Sequence, residues 1–183
     1  MNQNFDIIIV GGGAAGFFTA INIAEKNPKL KIAILERGKT VLEKVRISGG
    51  GRCNVTHAEF VPKELAKNYP RGEKELIGPF HQFCSGDTIE WFANHGVELK
   101  IEDDGRMFPT TDSSQTIIDC LLKEADKYKV EIRMNKAVKQ LAVGSPQGPA
   151  DGLMPPACRG QGEVFIEWRT PTVAKISNST TAL

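Results

Sequence analysis

The hydrophobic pattern begins with two short apolar runs that flank a helical segment. Residues 6–10 and 31–35 are dominated by β-branched and other apolar side chains, which predicts two strands buried in a parallel sheet. Residues 14–25 lie between them and are typical of a helix, and Asn27-Pro28 would end that helix before the second strand. The start of the chain is therefore predicted to form a β-α-β unit.

The rest of the pattern mixes helices with short strands. Turn residues and periodicity predict four helices. One would begin at Pro62 and one would be capped by Ser85, and Gly78-Pro79 should bend or interrupt another. The predicted helices are 61–67, 73–83, 85–95 and 115–128, and the predicted strands are 97–101, 106–109, 131–133 and 137–141.

The composition changes at Gly144. Residues 144–162 are rich in proline and glycine, which predicts a long exposed loop. Residues 163–168 and 172–176 alternate like a hairpin, and a polar, frayed tail is predicted after them. The predicted division is a partial domain over 1–143 and a loop, hairpin and tail over 144–183.

A glycine-rich turn joins the first strand to the first helix. Residues 11–16 are Gly-Gly-Gly-Ala-Ala-Gly, which fits G-x-G-x-x-G in the strand–turn–helix context that makes this pattern informative. Gly11 would allow the tight turn, Gly13 the close approach of a pyrophosphate, and Gly16 the packing of the helix on the strand. Free N–H groups and a partial positive charge of about half a unit favour a diphosphate at the helix start. The turn predicts a dinucleotide site.

An acidic residue ends the second strand. Glu36 follows Gly16 by 20 positions, and a carboxylate about 20 residues after the turn binds the ribose hydroxyls of a dinucleotide. The same carboxylate would repel a 2′-phosphate, so NADP is the least expected dinucleotide. The alternative is a glycine-rich turn in an ordinary β-α-β unit with a glutamate at the surface.

A second glycine-rich loop lies in the non-periodic segment that begins at Arg37. The three glycines at 49–51 stand beside Lys44, Arg46 and Arg52. Backbone N–H groups in such a loop can surround an anion, and an arginine can pair with a phosphate. The alternative is a flexible surface loop, which is disfavoured because a first phosphate site precedes it.

Composition and charge narrow the class of protein. The chain has 183 residues, is 40% hydrophobic and 25% charged, and carries a net charge of +1, which leaves no basic footprint for nucleic acid. No apolar run is long enough for a membrane span and no secretory signal is visible, so a cytoplasmic protein is expected. Four scattered cysteines without a C-x-x-C pair, and His81 and His95 without partners at ligand spacing, predict no metal site.

Four segments together carry a specific resemblance: VGGGAAG, LER, KVRISGGGRCNVT and DGRMFP. With them the chain resembles the HI0933-like flavoproteins from about residue 5 to residue 141. This bacterial family includes BaiN-type NAD(P)/FAD-dependent oxidoreductases and aminoacetone-oxidase-like proteins. SGGGRCN is more specific than the glycine pattern, and it implies that the dinucleotide is FAD. The implied fold is an α/β, Rossmann-like FAD-binding domain with a parallel sheet and a β-meander.

The resemblance also implies cofactor contacts. The first turn would hold the pyrophosphate, Glu36 the adenosine ribose, the second loop would line the path towards the flavin, and Val138 would meet the adenine. The implied cofactor-binding residues are Gly11, Gly13, Ala14, Ala15, Gly16, Glu36, Arg37, Ser48, Gly49, Gly50, Arg52, Cys53, Asn54 and Val138. No catalytic residue is implied. Cys53 is expected to pack rather than to act as a redox thiol, because no resolving cysteine is spaced with it.

The chain departs from the family in two respects. Thr56-His57 stands where the family motif usually ends in Thr-Asn. Family members are also much longer, with a last strand of the FAD domain, a substrate domain and a returning C-terminal segment. The chain is therefore expected to be an N-terminal or truncated part, and a missing strand would leave an unpaired sheet edge.

The expected function is the FAD-binding part of an oxidoreductase. NAD(P)H would reduce the flavin, and the flavin would reduce a small organic substrate or oxygen. A second reading is a non-catalytic nucleotide-binding module or remnant that lacks the substrate domain. A third is a plain NAD-binding domain, although a minimal NAD site needs no second glycine loop. The substrate and the oligomeric state stay open.

Overall fold

The computed structural model describes residues 4–143, 164–168 and 173–176. The strands in this part of the chain are β1 (Asn4–Phe5), β2 (Ile7–Val10), β3 (Ile32–Leu35), β4 (Thr56–His57), β5 (Leu99–Ile101), β6 (Arg106–Pro109), β7 (Glu131–Arg133), β8 (Val138–Val143), β9 (Val164–Trp168) and β10 (Val173–Ile176). The helices are α1 (Ala14–Lys26), α2 (Glu43–Ile47), α3 (Pro62–Ala66), α4 (Glu73–Gln82), α5 (Ser85–Asn94) and α6 (Ser114–Lys127), and a 3₁₀ turn covers Ser48–Gly51.

The chain forms two compact units. The first draws its described residues from Met1–Leu42 and Lys123–Leu183, and the second is Glu43–Leu122. The division follows the contacts between elements and passes through α6, rather than following the change of composition at Gly144, which lies outside the described residues.

The first unit contains a parallel sheet in the order β2-β3-β7. Helix α1 packs against β2 and β3 and buries the face that carries Phe17 and Ile21. The β-α-β unit predicted from the apolar runs is confirmed, because a strand buried on both faces needs the continuous apolar sequence found in β3. The fold is a Rossmann-like α/β domain.

Strand β2 forms an edge of the described sheet. Every residue of β3 is buried, whereas Ile7, Ile8 and Ile9 are half-buried and Val10 is 57% exposed. Within the described residues β2 pairs with β3 alone in this sheet. Among the described residues, β2 is therefore more exposed than its neighbour β3 in this sheet.

A second sheet in the first unit has the order β1-β10-β9-β8. Strands β8, β9 and β10 are antiparallel neighbours, and β1 pairs with β10 in parallel. The predicted hairpin near the end of the chain is thus confirmed for its described residues, and with β8 it forms the β-meander. The predicted loop over 144–162 and the predicted tail over 177–183 lie outside the described residues.

The second unit is built on an antiparallel sheet in the order β4-β6-β5. The hairpin between β5 and β6 turns at Gly105, which has a φ of 81° and donates its N–H to the carbonyl of Glu102 at 2.8 Å. Asp-Gly is a sequence signal for a hairpin turn, and Asp104-Gly105 lies at this turn. Gly96, with a φ of 79°, follows the end of α5.

Two local predictions for the second unit are wrong. Segment 43–51 is not irregular, since it holds α2 and the 3₁₀ turn. Helix α4 is continuous through Pro79, so of the predicted bend or interruption at Gly78-Pro79 the interruption does not occur, and the helix packs against α3. Cys84 rather than Ser85 caps α5, because Asp87 accepts the N–H of Cys84 at 2.6 Å while the buried hydroxyl of Ser85 accepts from Thr56 at 3.1 Å.

No helix in the described part of the chain combines the length and the apolar character that a membrane span requires.

Candidate functional site

The turn between β2 and α1 depends on two glycines. Gly11 has a φ of 111°, which side chains rarely tolerate, and its N–H donates to the carbonyl of Leu35 at 2.8 Å. A Cβ on Gly16 would lie 2.0 Å from the carbonyl oxygen of Gly11. The predicted roles of Gly11 in the turn and of Gly16 in close packing therefore have a steric basis.

The amino end of α1 is open to an approaching group. Gly13, Ala14 and Ala15 are exposed, and a Cβ on Gly13 would have no heavy atom within 4 Å. No side chain caps this end of the helix and no acidic residue lies in its first turn. The first N–H groups of a helix have no partner within the helix and carry a partial positive charge. An anion can therefore be received here without displacing a side chain.

Glu36 is held beside this turn by two backbone groups. Its carboxylate accepts the N–H of Gly12 at 2.7 Å and the N–H of Gly38 at 2.7 Å. Burial acts to raise the pKa of Glu36, but these N–H groups and the charge of Arg37 outweigh it, so the pKa lies below its ordinary value. The group is an oriented carboxylate at neutral pH. Arg37 itself is exposed.

The second glycine-rich loop has a left-handed backbone. Gly49, Gly50 and Gly51 have φ angles of 56°, 69° and 87°, and Cys53 follows with a φ of 64°. Left-handed glycines in succession can turn several N–H groups to one side. A Cβ on Gly49 would lie 2.7 Å from the N atom of Asn54 and 2.7 Å from the ring of Phe108. Gly49 is therefore required by its neighbours, whereas Gly50 has open space around it.

The basic side chains of this loop already have partners. Arg46 donates from Nη1 to Oε1 of Gln115 at 2.7 Å, and Arg52 forms an ion pair with Glu102. The hydrogen bonds that Arg52 donates to Glu102 raise the pKa of Arg52 further, so its charge is permanent. Lys44 is exposed. The loop pattern predicts an arginine paired with a phosphate, and no local signal points to Glu102 or Gln115, because both are distant along the chain.

Cys53 is a buried thiol. Its side chain is 6% exposed, and burial raises its pKa despite a hydrogen bond with Ser48. Its N–H donates to the carbonyl of Ser48 at 3.0 Å, while the hydroxyl of Ser48 donates to the carbonyl of Val45. A buried thiol with a raised pKa is a poor nucleophile. The structure thus gives Cys53 a packed environment inside the loop, and Asn54 beside it is exposed.

One further predicted cofactor-binding position lies outside the two loops. Val138 begins β8 and is half-buried, opposite Trp168 of β9. No group of three or more His, Cys, Asp or Glu side chains suited to a metal ion occurs among the described residues. His95 instead stacks on Trp91, with ring centroids 4.0 Å apart.

A cavity of about 470 Å³ in the first unit is separate from the glycine turn. It lies at the amino end of β3 and is lined in part by Phe5, Lys29, Tyr128 and Lys129. The two lysines follow the carboxyl ends of α1 and α6, where cations offset the partial negative charge of a helix. None of the predicted cofactor-binding residues lines this cavity.

Comparison with known proteins identifies relatives. The family described as HI0933-like protein Rossmann domain matches residues 5–148. A ribosomal RNA dihydrouridine synthase from Escherichia coli K12 is 31% identical over 140 residues, which are 76% of this chain and 34% of that protein. A 3-dehydro-bile acid delta(4,6)-reductase from Clostridium scindens is 30% identical over 154 residues, which are 82% of this chain and 36% of that protein.

A solved structure shares the fold. The open conformation of a flavocytochrome c3 fumarate reductase has a TM-score of 0.57 and 18% identity, over 94% of this chain and 32% of that chain. The chain spans about a third of the length of the curated relatives it matches. Since the family match covers most of the chain, the chain belongs to the HI0933-like family.

Proposed function

We propose that this chain is the FAD-binding part of a flavin-dependent oxidoreductase. The observation that carries the proposal is the carboxylate of Glu36, held at 2.7 Å by the N–H groups of Gly12 and Gly38 beside an uncapped helix. An oriented carboxylate suits ribose hydroxyls, and an uncapped helix suits a pyrophosphate.

The residues present fit FAD. Space is open at Gly13, the first turn of α1 is free of acidic groups, and the second loop has room at Gly50. We assign the pyrophosphate to the first turn, the adenosine ribose to Glu36 and Arg37, the adenine to the backbone of Val138, and the path towards the flavin to the second loop. The proposed contacts are Gly11, Gly13, Ala14, Ala15, Gly16, Glu36, Arg37, Ser48, Gly49, Gly50, Arg52, Cys53, Asn54 and Val138.

The chain contributes placement and electrostatics. When bound, a flavin supplies hydride-transfer chemistry, with NAD(P)H as the proposed donor. The N–H groups of α1 would balance the charge of the pyrophosphate, and Glu36 would hold the ribose and repel a 2′-phosphate. The N–H groups of α1 and the carboxylate of Glu36 would contact FAD far from the reacting flavin ring. Their loss should therefore lower the affinity for FAD and leave the rate of hydride transfer in the FAD-loaded chain largely unchanged.

The names of two relatives point to a substrate class for the complete protein. A dihydrouridine synthase and a delta(4,6)-reductase both saturate a carbon–carbon double bond. We propose the same class of reaction here, on a small organic substrate. The net charge of +1 favours a small molecule over RNA as that substrate.

The test is a visible absorption spectrum of the purified chain, followed by identification of any flavin released on denaturation. A yellow protein that releases FAD is expected. A folded, colourless chain that also fails to take up added FAD would contradict the proposal. Supplying FMN in parallel is the control, because FMN lacks the adenosine that Glu36 would hold.

A second candidate is nucleotide binding without turnover. The thiol of Cys53 is buried with a raised pKa and Arg52 is paired with Glu102, so neither is a ready acid or base. Oxidation of NADH and NADPH by the FAD-loaded chain decides between the two candidates. Steady turnover above that of free FAD supports the enzyme, and its absence supports a binding module.

A further inference from the structure

The guanidinium of Arg52 contacts three side chains of its own unit, and the side chain is 33% exposed. It makes a two-point ion pair with Glu102, in which the longer contact, Nη2 to Oε2, is 3.3 Å. A second carboxylate oxygen, Oδ1 of Asp112, lies 3.5 Å from Nη1. The ring of Phe108 lies beneath the guanidinium carbon, 3.9 Å from it to the centroid. A planar cation held by a carboxylate and an aromatic face has little freedom to turn.

The backbone of the glycine loop packs against the same aromatic ring, that of Phe108. Phe108 is fully buried, and a Cβ on Gly49 would lie 2.7 Å from its Cε1 atom. One side of the ring environment is therefore the loop backbone, and Arg52 covers the face of the ring. Arg52 thus links the loop to the β5–β6 hairpin at two points, the ring of Phe108 and the carboxylate of Glu102.

The backbone around this link is held in unusual conformations. Cys53 and Asp112 have φ angles of 64° and 53°, which cost energy for residues other than glycine. Cys53 adjoins Arg52, and Asp112 pairs with both Arg52 and Lys100. Left-handed residues persist where their surroundings hold them: the ion pairs hold Asp112, and the hydrogen bond from the N–H of Cys53 to the carbonyl of Ser48 holds Cys53.

The charges in this cluster are already balanced. Three cations, Arg52, Lys100 and Arg106, face three carboxylates, those of Glu102, Asp112 and Asp104, and Arg106 pairs with Asp104 at 2.7 Å. Arg52 already gives three contacts to the carboxylates of Glu102 and Asp112, so a phosphate that paired with it would share the guanidinium with two negative groups. The loop therefore offers an anion its backbone N–H groups more readily than this side chain.

We infer that Arg52 is a positioning residue, which clamps the loop of residues 48–54 to the β5–β6 hairpin through Glu102 and so sets the direction of the loop's N–H groups. The identity of the ligand rests on the proposed function, whereas the clamp itself does not. In this view the guanidinium of Arg52 acts on FAD by holding the loop backbone, so the contact proposed above for this position is made by the loop and not by that side chain.

Binding of FAD to variants of the full chain tests the inference, because the clamp and a direct phosphate contact predict opposite changes in affinity for Glu102→Gln. The clamp predicts that Arg52→Ala weakens binding about tenfold and Glu102→Gln about fivefold, with the double variant no weaker than Arg52→Ala. Arg52→Lys keeps the charge but loses the two-point contact, so it should rescue only part of the loss. A phosphate contact by Arg52 predicts that Glu102→Gln leaves binding unchanged or tightens it, and that result overturns the inference. Glu64→Gln, in a surface pair with Lys67, is the matched control.

Alkylation of Cys53 tests the clamp without any flavin. Cys53 and Cys120 are each 6% exposed. The alkylation rate of Cys120 therefore measures general loosening of the fold, and the ratio of the Cys53 rate to the Cys120 rate measures opening of the loop. Iodoacetamide labelling under native conditions, read for each cysteine by peptide mass spectrometry, should rise several-fold at Cys53 alone in Glu102→Gln. Equal ratios in the variant and the parent overturn the clamp. A parent chain that takes up no FAD contradicts the proposed function, and the alkylation ratio then decides on the clamp by itself.

Discussion

The backbone N–H of Gly12 donates to the carboxylate of Glu36 at 2.7 Å, which joins the glycine turn to the end of β3. The other carboxylate oxygen accepts from Gly38 at the same distance. A carboxylate with one backbone donor on each oxygen keeps its orientation before any ligand arrives. The free lone pairs of both oxygens remain available to hydroxyl donors.

Replacing Glu36 by alanine should weaken FAD binding by about tenfold or more, because hydrogen bonds to a charged group are worth about 1.5–3 kcal/mol each. The N–H groups of Gly12 and Gly38 also lose their acceptor, so the free energy of unfolding should fall by about 1–3 kcal/mol. Titration of the chain with FAD, followed by flavin fluorescence, measures the first effect. Glu25→Ala, at an exposed position of α1, is the control, and equal FAD affinity in the Glu36 variant would refute the ribose assignment.

The contribution of Glu36 to stability should depend on pH. Its folded-state pKa lies below the ordinary value of 4.5, so the contribution is fully present above about 4.5 and is lost as pH falls through the folded pKa. In Glu36→Gln the single amide oxygen can accept only one of the two N–H groups that the carboxylate accepts. The amide also does not titrate, so this variant serves as the reference without a charge. Urea unfolding of the parent and the variant should give a difference in the free energy of unfolding that is constant at neutral pH and shrinks below pH 4.5. A difference that does not change down to pH 3 would argue against the depressed pKa.

Gly16→Ala should destabilise the fold severely. The added Cβ would lie 2.0 Å from the carbonyl oxygen of Gly11, and a backbone atom cannot move aside as the end of a side chain can. We expect a loss of about 3 kcal/mol or more in the free energy of unfolding, or no soluble chain. Chemical denaturation monitored by circular dichroism measures it, and a loss below about 1 kcal/mol would contradict the packing described for this turn.

Gly13→Ala should separate folding from binding. Gly13 has a φ of −91° and its Cβ would meet no heavy atom within 4 Å, so stability should change by about 0.5 kcal/mol or less. The same methyl group would stand where a pyrophosphate approaches the helix, so FAD affinity should fall at least tenfold, about 1.4 kcal/mol. Unchanged FAD affinity in a fully folded Gly13→Ala chain would place the pyrophosphate elsewhere.

Two glycines of the second unit should respond to alanine with opposite signs. Gly105 has a φ of 81° and its Cβ would lie 2.5 Å from Cε1 of His57, so Gly105→Ala should destabilise by about 1–2 kcal/mol. Gly78 lies inside α4 with nothing within 4 Å of its Cβ, so Gly78→Ala should stabilise by about 0.5–1 kcal/mol. Thermal unfolding of both variants checks the pair, and effects of the same sign would contradict the assigned hairpin or helix.

Local pattern was enough to predict the first unit. The apolar runs before Gly11 and before Glu36 predicted β2 and β3, and the helix between them was placed within one residue of its observed end at Lys26. These elements depend on side chains a few positions apart, and burial on both faces leaves a continuous apolar run. The glycine turn was likewise predictable because its steric demands fall within six consecutive residues.

What the sequence alone determined is therefore the Rossmann-like unit, the glycine turn and the position of Glu36 at the end of β3. The tertiary structure alone decided that Arg52 pairs with Glu102, 50 positions away, and that Cys84 rather than Ser85 caps α5. A local pattern reports which residues can be buried or can turn the chain. The partner of a charged group depends on which distant residues the folded backbone brings within 4 Å, and periodicity carries no information about that.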